Sequence, residues 1–174
     1  MTFDKLASLA NNYFLEAKVR PPTKEEITNP YSAFKYAKDV VKGRVPELEP
    51  LILTDSKAVH NYLYYVVKNR WPEAEEIIST SDPSDVYLYA SEFLKDRWIN
   101  IPDIPKIIAK QAENRILSEP YTRLNYAINV IEGRWPELEE VILGHPNSEH
   151  EKEQYLQFLR SIDYQDLEES FKLR

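Results

Sequence analysis

Four times along the chain a helix-forming run is cut by a turn of one kind, and this recurrence limits the fold more than any other feature. The fullest copy is Glu132-Gly133-Arg134-Trp135-Pro136-Glu137-Leu138-Glu139. Close copies are Lys42-Gly43-Arg44-Val45-Pro46-Glu47-Leu48-Glu49 and Lys68-Asn69-Arg70-Trp71-Pro72-Glu73-Ala74-Glu75, with a shorter one at Lys95-Asp96-Arg97-Trp98. Gly43, Asn69, Asp96 and Gly133 are residue types that tolerate the left-handed backbone at a helix C-terminus, so the spacing predicts a helix end at each of them. Pro46, Pro72 and Pro136 suit the first position of a new helix, because their φ is preset and no N–H is lost. The glutamates that follow fall in its first turn, where the helix dipole favours negative charge. Trp71, Trp98 and Trp135 are read as apolar plugs between the two helices.

Start signals keep register with these stops. Thr28-Asn29-Pro30, Thr54-Asp55-Ser56, Ser81-Asp82-Pro83 and Ser118-Glu119-Pro120 each offer a capping residue, fourteen positions before the stop in every case. Between start and stop, Tyr36, Ala37, Val40 and Val41 recur as Tyr62, Leu63, Val66 and Val67, as Tyr89, Ala90, Phe93 and Leu94, and as Tyr126, Ala127, Val130 and Ile131. That is the stripe of a helix with one buried face. The second helices are too short to persist alone. The predicted fold is therefore all-α, a short α-solenoid-like stack of helical hairpins in a single domain. Its units span 28–53, 54–80, 81–117 and 118–144, between an N-terminal cap at 1–27 and an acidic C-terminal cap at 145–174.

Stops recur every 26, 27 and 37 residues. The long interval holds Ile99-Asn100-Ile101-Pro102-Asp103-Ile104-Pro105 and an apolar-periodic run over 106–117, which predicts a loop, a longer second helix and a bend or break in regular stacking there. Phe3 to Lys18 reads as an opening helix, Arg20 to Ile27 as a decayed extra copy of the turn, and Glu149 to Ile162 as a closing helix, with another suggested from Asp166.

Composition narrows the chemistry. Zero cysteines remove disulfides and thiolate catalysis, and three glycines remove phosphate-cradling loops. Of a net charge of -7, residues 137–174 carry -6, which argues against direct binding of nucleic-acid phosphates. No apolar run spans a membrane and the amino terminus lacks a signal pattern, so a cytoplasmic protein with no membrane partner is expected. His145, Glu149 and His150 straddle a proline turn with no further histidine nearby, so no metal site and no cofactor are predicted. His60 occupies a helix-face position held by Phe34, Tyr87 and Leu124 in the other units, and is expected to be half-buried. No carboxylate stands apart from the capping pattern, so the chain is read as a non-enzyme.

Two sets of residues could recognise a partner. Arg44, Arg70, Arg97 and Arg134 form a regular ladder that could hold anions, or pair instead with the glutamates of the next helix. Of 12 tyrosines, Tyr36, Tyr62, Tyr89 and Tyr126 belong to the repeated stripe, while Tyr31, Tyr64, Tyr65, Tyr87, Tyr121, Tyr155 and Tyr164 fall at positions that vary between units. Variable positions are free of the stacking requirement. Tyr64, Tyr65, Tyr87 and Tyr121 are therefore assigned to a protein-contact surface.

Written as Tyr-Ala-x-x-Val-(Val/Ile)-x-Gly-Arg-Trp-Pro-Glu-x-Glu-x-x-Ile, the motif resembles the short tandem helical repeats of uncharacterised tailed-bacteriophage proteins. The match is tightest over 126–142, good over 36–52, and partial in the other two copies. The resemblance brings no catalytic residues with it. It implies a viral protein made inside an infected bacterium, and hence a module that binds and inhibits or redirects a host (defence) protein in the host cytoplasm. Two alternatives stay open: a binder of a small nucleotide-like anion on the arginine ladder, and an acidic mimic of nucleic acid centred on 137–169.

Overall fold

The computed structural model describes residues 27–144 and 148–162. The opening helix, most of the extra turn copy, His145 and the segment from Asp163 lie outside those residues. The described residues are all-α, with no strand among them.

Four first helices begin where the start signals stand. Helix α1 is Pro30–Lys35 and runs on as a π-helix over Tyr36–Val41; α3 is Ser56–Tyr62 with a π segment at Leu63–Val67. Helix α5 is Pro83–Tyr89 with Ala90–Leu94, and α7 is Pro120–Tyr126 with Ala127–Ile131. Asn29 closes a capping box with Ser32, Asp55 accepts from the Ala58 N–H at 2.8 Å, and Glu119 accepts from the Tyr121 and Thr122 N–H groups. Asp82 starts α5 without a side-chain cap.

Three second helices begin at the prolines. Helix α2 is a 3-10 turn, Pro46–Leu48, followed by Glu49–Ile52, and α4 is Pro72–Ala74 followed by Glu75–Ser79. After the 3-10 turn Trp98–Asn100 and the extra loop comes α6, Lys106–Leu117, the longer second helix expected there. Helix α8 is Pro136–Gly144 and α9 is Glu149–Ser161.

The left-handed residue sits one position earlier than the sequence suggests. Lys42, Lys68, Lys95 and Glu132 have φ of 53 to 57°, and no described glycine has positive φ. The cause is the widened last turn. N–H groups of Lys68, Lys95 and Glu132 donate to carbonyls five residues back, Leu63, Ala90 and Ala127, at 2.7 to 2.9 Å. Asn69 and Asp96 have a different task, accepting from the next backbone N–H at 2.8 and 2.7 Å. A left-handed β-carbon costs about 1–2 kcal/mol, against about 0.5–1 kcal/mol for glycine's added chain entropy. Lys95→Gly should therefore raise the unfolding free energy by about 0.5–1 kcal/mol. A lowered urea midpoint would disprove that reading of the turn.

One core runs through the stack. It takes Tyr62, Tyr89, Tyr126 and Tyr155 with Trp71, Trp98 and Trp135, and Ile52, Ile78, Ile116 and Ile142 from the second helices, all buried. The tryptophans are the plugs expected of them. The outer half of the stripe is less covered than its periodicity implies: Val40 and Val41 are exposed, and Val66, Val67, Phe93 and Leu94 are half-buried.

Stacking is uneven, and the looser joint is not at the insertion. Helices α1 and α3 pack closely, as do α5 and α7, whereas α3 and α5 meet mainly through side chains, and the closer packing across that joint is made by α4 on α5 and α6. The inserted loop is tied back instead, through Asp103 to Arg70 at 2.9 Å and through buried Ile104. Helix α9 behaves as a fifth first helix. It buries Tyr155 and Leu159, and its Glu151 receives both Arg123 Nε and Nη2, at 2.5 and 2.6 Å, in a pair shielded from water.

Candidate functional site

The arginines are the first residues to place, because the turn motif is built around them. Each lies on a carboxylate in a two-pronged grip through Nε and Nη2: Arg44 on Glu49 at 2.8 and 2.8 Å, Arg70 on Glu75 at 2.6 and 3.2 Å, and Arg134 on Glu139 at 2.9 and 2.6 Å. Arg97 grips Glu113 at 3.1 and 2.6 Å, the glutamate now coming from α6, sixteen residues on instead of five. A tyrosine from the following first helix completes each site. Tyr62 Oη accepts from the Val45 N–H at 2.9 Å and donates to Glu49 at 3.0 Å. Tyr89 does the same with Trp71 and Glu75 (3.0 and 3.1 Å), and Tyr126 with Trp98 and Glu113 (3.1 and 3.2 Å). Tyr155 completes the series with Trp135 and Glu139 at 2.7 and 3.4 Å.

The ladder is thus a set of inter-unit clasps. An anionic ligand would have to displace a glutamate already held by two charge-assisted hydrogen bonds. Replacing Arg70 or Arg97 would open a clasp and any ligand site together, so such variants do not separate the two roles. Tyr155, assigned by sequence to a variable position, is a structural residue equivalent to Tyr126.

The clasps predict a response to alkali. Burial raises all four phenols, Tyr62 and Tyr155 to about 12 and Tyr89 and Tyr126 further, with the neighbouring glutamates adding to the effect. A folded pKa above the unfolded value of 10.0 gives stability that is full below pH 10 and lost as pH rises through the folded values. Cooperative loss of helix above pH 10, accompanied by tyrosinate absorbance, is the expected result. Ionisation of all 12 tyrosines with the helix content unchanged would contradict it.

The four tyrosines assigned to a contact surface divide. Tyr65 and Tyr121 are open, at 55% and 74% exposure. Tyr64 turns inward to the loose joint between α3 and α5, its ring against His60 at 4.7 Å and Phe93 at 5.1 Å, and its buried hydroxyl has no hydrogen-bond partner among the described residues. Tyr87 is half-buried, and its Oη accepts from Asn129 Nδ2 of α7 at 3.1 Å. His60 is half-buried as expected, with Nδ1 3.1 Å from Asp85 Oδ1. Ser56, Leu63 and Ser81 close a cleft around this pair with about 10 Å³ of free space, room for roughly one water molecule. Burial in this joint raises the Asp85 carboxyl above its ordinary range, against the pull of His60.

No family model, no curated protein and no solved structure matches the chain. Function has to be read from its surface.

Two of the open aromatics share one patch. Tyr65 of α3 and Tyr31 of α1, the latter 53% exposed, flank the buried ring of Phe34 at 6.1 and 5.8 Å between centroids. Lys38 places Nζ 4.5 Å from the Tyr65 centroid and 5.7 Å from that of Phe34, and Lys35 lies 5.1 Å from Tyr31. Sequence reasoning assigned Tyr65 to a contact surface, placed Tyr31 only among the variable positions, and did not single out Lys35 or Lys38. The available signal was the pairing of a position two before the clasp tyrosine with one three after it in the next unit, which also joins Tyr87 to Asn129. Among the described residues no cluster of metal-ligating side chains occurs, and no described helix is long and apolar enough to cross a membrane.

Proposed function

We propose that this chain is a non-enzymatic protein-binding repeat module, made by a tailed bacteriophage to bind and inhibit or redirect a host protein in the bacterial cytoplasm. The observation that carries the binding part is the set of exposed tyrosines on the first helices, Tyr31, Tyr65 and Tyr121, at positions the clasps and the core do not use. Tyrosine offers a large, stiff contact area with a polar tip, which suits a recognition surface. The viral part rests on the resemblance of the turn motif.

The test is gentle purification of the tagged chain from a bacterial host, followed by mass spectrometry of what comes with it. A stoichiometric host protein is expected with the wild type. It should be lost or reduced about ten-fold with Tyr65→Ala/Tyr121→Ala, because truncating anchor aromatics commonly costs more than 1 kcal/mol each. Recovery of a nucleotide-like molecule and no protein would overturn the proposal.

A further inference from the structure

We infer that the notch formed by Tyr31, Phe34 and Tyr65 is the docking point, and that it takes a short acidic protein segment carrying an apolar or aromatic residue. This rests on the protein-binding reading above and names the chemistry of the partner. The notch is shallow: Phe34, at 3% exposure, is its buried backing, and the half-open rings of Tyr31 and Tyr65, contributed by neighbouring units, are its accessible surface. An apolar or aromatic side chain can pack against the exposed parts of those two rings.

The charge argument lies in Lys35 and Lys38. The four turn arginines are committed to glutamates, yet neither of these lysines pairs with a carboxylate among the described residues. Their ammonium groups rest on the tyrosine and phenylalanine rings, which fixes them at the notch while leaving their N–H donors open. Carboxylates on either side of a seated apolar residue would meet both ammonium groups and the two phenol hydroxyls. A nucleic-acid strand fits less well. Phosphate binding needs several clustered cations, and here two stand beside exposed Asp39 on a chain of net charge -7.

The test uses the full chain and a short fluorescent synthetic peptide of alternating Glu and Phe, with a Lys-for-Glu peptide and oligothymidylate as competitors, read by anisotropy. The acidic peptide should bind the wild type, weaken with added salt, and bind Tyr65→Ala about ten-fold more weakly. Lys35→Glu/Lys38→Glu should weaken it further, and Tyr121→Ala should leave it unchanged. Circular dichroism checks that each variant folds; if the lysine pair variant does not, Tyr65→Ala carries the test. Equal binding by wild type and Tyr65→Ala, no binding by the wild type, or preference for oligothymidylate would overturn the inference. The two proposals fail separately. A host protein retained equally by wild type and Lys35→Glu/Lys38→Glu sinks the notch alone, whereas a wild type that retains none sinks the binding reading itself.

Discussion

Arg123→Met is expected to destabilise the protein by about 3–5 kcal/mol, because it strands the Glu151 carboxylate in a buried site. Both side chains are almost fully covered, at 8% and 11% exposure, and Arg123 Nη1 also donates to the Leu117 carbonyl at 3.0 Å. Units one to three carry Ala33, Val59 and Val86 at the position of Arg123. At this position the joint between α7 and α9 is thus charged where the earlier units are apolar. Replacing both partners, Arg123→Met/Glu151→Leu, should recover most of the loss, since a matched apolar pair avoids the desolvation that the ions undergo. Urea unfolding of the two variants and the wild type measures both effects. A loss below about 1 kcal/mol for the single variant would mean the pair behaves like a surface ion pair.

Tyr126→Phe is the second large effect, about 2–3 kcal/mol for the removal of one oxygen. That oxygen accepts from the Trp98 N–H and donates to Glu113, and both partners lie in the core. Without it the N–H is buried with no acceptor, which costs about 1–3 kcal/mol, and the carboxylate loses a donor. Tyr65→Phe, which removes an exposed hydroxyl, should change stability by less than about 0.5 kcal/mol. The contrast between the two substitutions separates clasp tyrosines from surface ones. Equal melting temperatures for both variants would refute the clasp as a source of stability.

Much of the fold could be read before the structure, for a physical reason. Asn29, Asp55 and Glu119 cap, Pro46, Pro72 and Pro136 start helices, and Trp71 and Trp135 plug, all through local chemistry that leaves a fixed spacing in the sequence. What could not be read depended on partners distant in the chain or on backbone geometry without a composition signal. Glu113 was hidden because the insertion moved it away from Arg97. Tyr155 was hidden because no stop follows it at the repeat spacing: Ile162 stands where Gly133 does, with no Arg-Trp-Pro after it. The π turns moved the left-handed residue onto Lys42, Lys68, Lys95 and Glu132, types that do not advertise that conformation.

Variation between units marked Tyr65 and Tyr121, which lie outside the clasps, but also Tyr155, which completes one. It did not say which way a side chain points. Tyr64 and Tyr65 are adjacent in the π segment of α3, and only the second faces solvent. The loose joint between α3 and α5 draws the first inward, a consequence of tertiary spacing rather than of periodicity.

Each of the four described turns is sealed by a hydroxyl from the first helix that follows it. Excising or duplicating one hairpin therefore severs a turn from its own tyrosine but delivers an equivalent one in its place. The seam heals by itself. A gene encoding such a chain can grow or shrink by whole hairpins without inventing a new clasp, provided the last hairpin, whose Arg123 holds Glu151, is kept, and the reach of its outer face is then adjusted in steps.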